Sequence, residues 1–478
     1  MNTVNAGMGA VLETVLKTAP KPDFAARRAR LMQHMRQAGG GVAILPTAPE
    51  AMRNGDVEYP YRHDSYFYFL SGFMEPEAML VLVAPPDGSA GRTLLFCREK
   101  NLDREIWDGF RYGPQGACAA FGFDAGFDIA ALDTELPRLL ADAPAMYCAI
   151  GRDAVFDARL RGWLATVRSQ ARAGVSAPAS MHDIRDLIDN MRLLKDIDEL
   201  AIMRHAATIS GGAHARAMRC STPGKTEYQI EAELLHAFRH AGSDFPAYTS
   251  IVATGANACI LHYRAGSSVL QDGDLVLIDA GCEYQGYASD ITRTYPANGR
   301  FSPAQRCLYE IVLEAQKAAI AAVRPGASFS DGHDAAVRIL AQGMLDTGLL
   351  EASKVGTVED VIAKGDYRRF YMHRTGHWLG MDVHDTGDYR EPVGSAVQAG
   401  PNAARPSRRL GPGMVLTVEP GIYVRAADDV PPEYWNIGIR IEDDVAVTAD
   451  GHEVLSISAP KTIADIEAVM RHGVQTYQ

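Results

Sequence analysis

Four carboxylates in this sequence stand where apolar strands would otherwise run on into a core. Asp279 closes the run Leu275–Ile278, and Asp290 opens Ile291–Tyr295 eleven residues later, across a hairpin holding Gly281 and Gly286. Glu419 closes Val415–Val418. Glu442 stands in Gly438-Ile-Arg-Ile-Glu-Asp-Asp-Val, where strand alternation puts Arg440 and Glu442 on one face and Ile439 and Ile441 on the other. A single acid at a strand end is ordinarily a turn residue or a cap. Four in strongly apolar surroundings need compensation, because buried carboxylates grouped together are very unfavourable. A divalent cation is the usual compensation. Two ions bridged by shared carboxylates balance four acids better than one ion does. Oxygen-rich ligation with a little imidazole suits Mn2+ and permits Co2+, Fe2+ or Zn2+.

The imidazole has an evident source. The segment 372–385 carries His373, His377 and His384 within twelve residues, in a chain with 14 histidines. Their spacing is not that of a His-Glu-x-x-His zinc helix. Gly376 and Trp378 beside His377 point to a tight turn or close packing rather than a surface cluster. His262, in Ile260-Leu-His-Tyr263, precedes the first acid strand; taken alone it reads as a hairpin or core residue.

These residues need a scaffold to bring them together. Gly273, Asp279 and Gly281 recur at the same offsets in Gly413, Glu419 and Gly421, 140 residues on. Each copy is an apolar strand ending in an acid and a glycine turn, which suggests a duplicated half-domain whose acids meet at a central axis. Helix starts around it are signposted by Thr226 with Gln229, Ser302 with Pro303 and Gln305, and Ser330. The corresponding stops are Gly242 and, for the second helix, a point ahead of Pro325. A long helical pattern covers Asp196–Met218. Ahead of it, a helix from Asp23, strands at Val42–Leu45, Tyr66–Leu70, Met79–Val83 and Thr93–Phe96, and helices near Asp133–Leu140 and Ala154–Arg168 describe a mixed α/β region. A boundary is expected within Ala177–Met191, after a small-residue stretch.

The composition fits a globular chain. Its 478 residues include 47 Lys+Arg and 59 Asp+Glu, for a net charge of −12, with 47% apolar and 22% charged residues. Disordered, collagen-like and membrane-spanning classes are excluded. The acidic balance opposes nucleic-acid and anionic-membrane surfaces. Seven widely spaced cysteines without a Cys-x-x-Cys pair favour free thiols in a reducing compartment. No signal peptide is seen, and apolar runs such as Ala78–Pro85 are too short to cross a bilayer, so a cytoplasmic protein is expected.

The ordered set Asp279, Asp290, His377, Glu419 and Glu442 resembles the dinuclear pita-bread metallopeptidases. The strings ILHYRAG (260–266), LVLIDAGCEYQGYASDITRTYP (275–296), HWLGMDVHD (377–385), MVLTVEPGIYV (414–424) and GIRIEDD (438–444) are close to the proline-specific branch. The string EYPYRHDSYFYFLSGFMEPEA (58–78) resembles the amino-terminal domain of aminopeptidase P, and the resemblance spans roughly residues 20–470. It implies an α/β (α+β) chain: a creatinase-like α/β N-terminal domain at 1–185 and a pita-bread catalytic domain with a pseudo-twofold repeat at 186–478. It implies that Asp279 binds one metal, that Asp290 and Glu442 bridge two, and that His377 and Glu419 complete the second site. His262, His373 and His384 match histidines that hold substrate or move protons. Arg440 matches an arginine beside the bridging glutamate, Tyr423 a tyrosine near the site, and Trp107 an N-domain tryptophan that lines the substrate pocket from a neighbouring subunit. Homodimers or homotetramers are common in the family. Two departures stand out: His373-Arg-Thr-Gly-His377 differs from the His-Gly-x-Ser-His of bacterial relatives, and Pro392–Arg409 reads as an insertion.

The expected reaction is hydrolysis of the bond between any first residue and a penultimate proline, with two Mn2+ ions as cofactors and Glu419 as base. His384 or His262 would stabilise the oxyanion, and His373 would protonate the proline nitrogen. The nearest alternative is an Xaa-Pro dipeptidase using the same metals. A metal-free creatinase-like hydrolase does not need five ligands, and a methionine aminopeptidase does not need roughly 180 further N-terminal residues. A non-enzymatic interaction module of this fold would be expected to have lost ligands.

Overall fold

The computed structural model describes residues 22–392 and 405–471. They form two compact units that part between Arg192 and Leu193. In the first, a six-stranded mixed sheet has the order β4-β3-β2-β1-β5-β6, where β1 is Gly41–Pro46, β2 Met79–Ala84, β3 Arg92–Cys97, β4 Ala125–Asp128, β5 Ala145–Cys148 and β6 Ser180–Asp183. β2 runs antiparallel to both neighbours, and the remaining pairs are parallel. Leu132, Leu136, Leu140, Phe156, Leu160 and Trp163, from helices Leu132–Leu140 and Ala154–Arg168, cover apolar residues of the sheet such as Val42, Ile44 and Met146.

The stretch Tyr66–Leu70 is a correction: it lies in a helix, Ser65–Ser71, not a strand. The Asp64 carboxylate accepts the Phe67 N–H at 2.9 Å, and Gly72 at φ 65° ends the turn. Phe67, Tyr68, Phe69 and Leu70 are all buried, so neither a helical nor a strand period shows in their polarity, and the aromatic content favours the wrong choice.

The second unit repeats one device. Strand Leu275–Asp279 pairs antiparallel with Thr292–Pro296, with Asp279 opposite Thr292. Strand Val415–Val418 pairs antiparallel with Asp443–Val447, with Val418 opposite Asp443. Each pair thus has one acid at the end of its first strand and another just ahead of its second. The halves are stitched where Glu442 N–H donates to the Thr292 carbonyl at 3.0 Å and Arg440 N–H to Thr294 Oγ1 at 3.2 Å. Gly281 makes the first hairpin possible, since a Cβ there would lie 1.8 Å from the Ser289 carbonyl oxygen.

Helix Ile197–Cys220 bears out the long pattern. Thr226 N–H donates to the Gln229 side chain at 2.9 Å ahead of helix Glu227–His240. Ser302 and Gln305 exchange bonds of 2.9 and 3.2 Å ahead of Pro303–Ala322. The third start is displaced: Ser328, not Ser330, caps helix Phe329–Asp346. Asp331, three residues after Ser328, accepts its N–H at 2.8 Å and decides between two serines. Of the expected insertion Pro392–Arg409, residues 393–404 lie outside the described residues. Its flanks meet as a narrow ladder, with Arg408 N–H to the Tyr389 carbonyl and Glu391 N–H to that of Pro406, both 2.9 Å. All seven cysteines are free. No helix among the described residues is long and apolar enough to cross a membrane.

Candidate metal centre

The four acids and one histidine of the sequence pattern line a single cavity of about 600 Å3 in the second unit. Asp290, His377 and Glu442 each offer a donor atom, all within 4.8 Å of one another. His377 Nε2 lies 3.4 Å from Asp290 and 4.0 Å from Glu419. Its Nδ1 is 2.9 Å from the Trp378 carbonyl; donation there makes Nε2 the ring nitrogen that faces the carboxylates.

His377 is brought in by backbone pairing. Thr417 N–H donates to the His377 carbonyl at 2.9 Å, and Glu419 N–H to that of Thr375 at 2.8 Å, so the segment 375–378 runs beside the strand that ends at Glu419. Gly376 allows this approach, because a Cβ there would sit 2.0 Å from the Thr417 carbonyl oxygen. A Gly376→Ala variant must push the two backbones apart and swing His377 away. Weakening of metal affinity by roughly 10- to 100-fold is expected, the range for losing ligand support. A metal titration monitored by dialysis checks this; unchanged affinity would contradict it.

The acids are held from behind. Tyr248 Oη lies 2.6 Å from Asp279 and 2.5 Å from Asp290. Arg440 donates to Asp279 at 2.6 Å, to Thr292 Oγ1 at 3.1 Å and to Tyr423 Oη at 3.0 Å, and Thr292 Oγ1 donates to Glu442 at 2.7 Å. Burial raises Asp279 above its ordinary value, Glu419 to about 8 and Glu442 well above the carboxyl range; neighbouring carboxylates add to this and Arg440 opposes it. Burial alone would lower His377, but the Asp290 carboxylate outweighs it and pushes the imidazole up to about 9. Burial would likewise raise Asp290, yet His377 holds it below its usual value. Crowded carboxylates with one imidazole are a donor set that suits hard or borderline divalent cations.

A polar relay leads away from the acids. Tyr423 Oη accepts from Arg440 and lies 2.9 Å from His373 Nε2, whose Nδ1 is 2.7 Å from the Arg374 carbonyl. Burial, with Arg440 nearby, lowers His373 to about 4, so its imidazole is neutral at pH 7. His384 lies against His377 with ring centroids 4.0 Å apart and ring planes tilted by 34°, and His262 lines the same cavity. Trp107 is not among these residues: it belongs to the first unit, 83% exposed on helix Leu102–Asp108. Tyr248, Thr292 and His333, a further cavity residue, carry no mark in the sequence that singles them out.

Comparison with known proteins agrees with the geometry. Residues 201–449 match the model of metallopeptidase family M24, and residues 24–147 match that of the aminopeptidase P N-terminal domain. The Xaa-Pro aminopeptidase of Escherichia coli (strain K12) is 42% identical over 450 residues, 94% of this chain and 98% of that protein. The structure of Pseudomonas aeruginosa aminopeptidase PepP superposes with a TM-score of 0.89 at 48% identity, covering 95% of this chain and 99% of that one. A zinc-substituted Escherichia coli aminopeptidase P in complex with product gives 0.88 at 42% identity, over 95% of this chain and 99% of that one.

Proposed function

The chain belongs to metallopeptidase family M24, with an aminopeptidase P N-terminal domain ahead of its catalytic domain, and from this we infer that it is an Xaa-Pro aminopeptidase, a divalent-metal hydrolase that removes the first residue of peptides with proline second. The observation that carries this reading is the convergence of Asp290, His377 and Glu442 within 4.8 Å in a cavity that also holds Asp279 and Glu419. We propose that Asp279 serves one ion, Asp290 and Glu442 both, and His377 and Glu419 the other, with Mn2+ the preferred metal. Two divalent cations held by these residues would acidify a water and polarise the scissile carbonyl.

The chain's own residues supply the rest. Glu419 takes the proton of the attacking water. His384 or His262 stands on the open side of the acids, in position to stabilise the developing oxyanion. The proton that Glu419 takes from the water is the one the departing proline nitrogen receives, and the neutral imidazole at the end of the Arg440–Tyr423–His373 relay would assist by accepting that proton and handing it on. A free amine at the start of the peptide pairs with the acids, which restricts cleavage to the first bond. Trp107, exposed beside Leu102, Ile106 and Phe110, supports a subunit contact in a homodimer or homotetramer. The seven free thiols fit a reducing cytoplasm.

The test is hydrolysis of Xaa-Pro-Yaa peptides by chelator-treated protein before and after Mn2+ is returned. Release of the first residue only, dependent on metal, is expected for tripeptides and longer peptides alike. Cleavage confined to Xaa-Pro dipeptides would make the chain a dipeptidase instead.

A further inference from the structure

The loop that carries His262 is fastened by one buried carboxylate at a distant point in the chain. Glu227 is the first residue of helix Glu227–His240 and is 0% exposed. Its Oε1 accepts the Thr254 N–H and an N–H of the Asn257 side chain, both at 2.9 Å. Its Oε2 accepts the Tyr263 hydroxyl at 2.8 Å and the Gly266 N–H at 3.0 Å. Thr254 and Asn257 lie ahead of His262, and Tyr263 and Gly266 lie behind it. One side chain therefore grips both arms of the loop, with the imidazole between them and facing the cavity. Glu227 N–H also donates to the Ser268 carbonyl at 3.1 Å, which holds the helix end against the same loop.

We propose that Glu227 is a positioning residue for catalysis: it sets His262 at the substrate without itself touching substrate or metal. The chemistry of the grip calls for a carboxylate. Four donors converge on it, two of them backbone N–H groups that cannot reverse direction. A carboxylate offers two acceptor oxygens and meets all four. A glutamine offers one, and turns an N–H toward the Gly266 N–H or the Thr254 N–H, so one arm of the loop is released. Placement at the N-terminus of a helix favours the negative charge in this site.

The inference rests on His262 facing the substrate, so its test is a double-variant cycle in the full-length, Mn2+-loaded enzyme on an Xaa-Pro-Yaa peptide. Glu227→Gln is expected to lower kcat/KM by roughly 10-fold, a loss of about 1.4 kcal/mol of transition-state binding, with bound Mn2+ unchanged. His262→Ala is expected to lower it at least as far. The combined variant is expected to match His262→Ala alone, because a misplaced imidazole and a missing one are equivalent. A merely structural role for Glu227 would lower both backgrounds alike, and such additivity overturns the proposal. So does a Glu227→Gln enzyme within twofold of the parent. A His262→Ala enzyme of full activity would instead remove the reading of His262 on which the proposal stands. Where Glu227→Gln does not fold, Tyr263→Phe, which removes one donor from the grip, takes its place in the same cycle, with the same non-additive result expected and additivity again the contrary result.

Discussion

Glu419→Gln is expected to lower kcat on Xaa-Pro-Yaa peptides by roughly a thousand-fold, within the range seen when a general base is lost. Glutamine keeps the shape of the side chain and an oxygen that can face a cation, yet cannot take a proton from water. The parent carboxyl sits among Asp279, Asp290 and Glu442 in a buried pocket that pushes it up to about 8. Without metal that carboxyl is already largely protonated at pH 7, and glutamine is neutral too, so the metal-free variant should melt no lower than the parent and may be compared at equal folding. Stability held below its maximum for activity is common at such sites. The measurement is kcat at saturating Mn2+, with bound metal determined on the same sample. Near-normal turnover in the metal-loaded variant would assign the base to another group.

Arg293→Met carries the largest expected effect on stability. Arg293 and Asp443 form an ion pair at 2.7 Å with both side chains 0% exposed. All five guanidinium donors are in use: Nε to the Pro460 carbonyl at 3.0 Å, Nη1 to those of Thr292 and Glu442 at 2.9 and 2.5 Å, and Nη2 to Asp443 and the Ala459 carbonyl at 2.7 and 3.0 Å. One side chain thus ties the first acid hairpin, the second and the C-terminal segment together directly behind Glu442. Burial would raise Asp443, but Arg293 and Lys461 hold it down to about 2. Its contribution to stability is present above the ordinary aspartate value and fades as pH falls toward 2. Methionine fills much of the arginine's volume yet leaves a charge buried with only Lys461 to balance it. A loss of about 3–5 kcal/mol is expected for breaking such a pair, read as a lowered urea midpoint with unchanged slope. Adding Asp443→Leu should recover part of the loss. A loss below about 1 kcal/mol would place the pair among those that contribute little.

The proposed metal donors were legible in the sequence for a physical reason. An acid that ends an apolar strand is costly wherever the strand is buried, so Asp279, Asp290, Glu419 and Glu442 announce themselves against Val, Leu and Ile. The repeated Gly-acid-Gly spacing likewise reflects two hairpins of one design, and the antiparallel registers at Asp279–Thr292 and Val418–Asp443 match it. What supports the donors was not legible. Tyr248 lies in an ordinary loop, and its importance comes only from Asp279 and Asp290 arriving from 31 and 42 residues away. Glu227 reads as a first-turn acid of a capped helix, and nothing local shows that Thr254, Asn257, Tyr263 and Gly266 will converge on it. Arg293 reads as an outward residue of an alternating strand, whereas both faces of that strand are buried. The misread Tyr66–Leu70 has a similar cause: burial on all sides erases the period from which an element is recognised.

On the function proposed above, Asp279, Asp290, His377, Glu419 and Glu442 hold two divalent ions that the reaction requires. Its most direct measurement is metal content after chelation and reloading with Mn2+, paired with anomalous scattering from crystals of the reloaded protein. Two ions per chain are expected, both within coordinating distance of Asp290 and Glu442, with Xaa-Pro-Yaa hydrolysis returning as they bind. Full hydrolysis by the stripped protein, or scattering peaks remote from Asp279, Asp290, His377, Glu419 and Glu442, would contradict it.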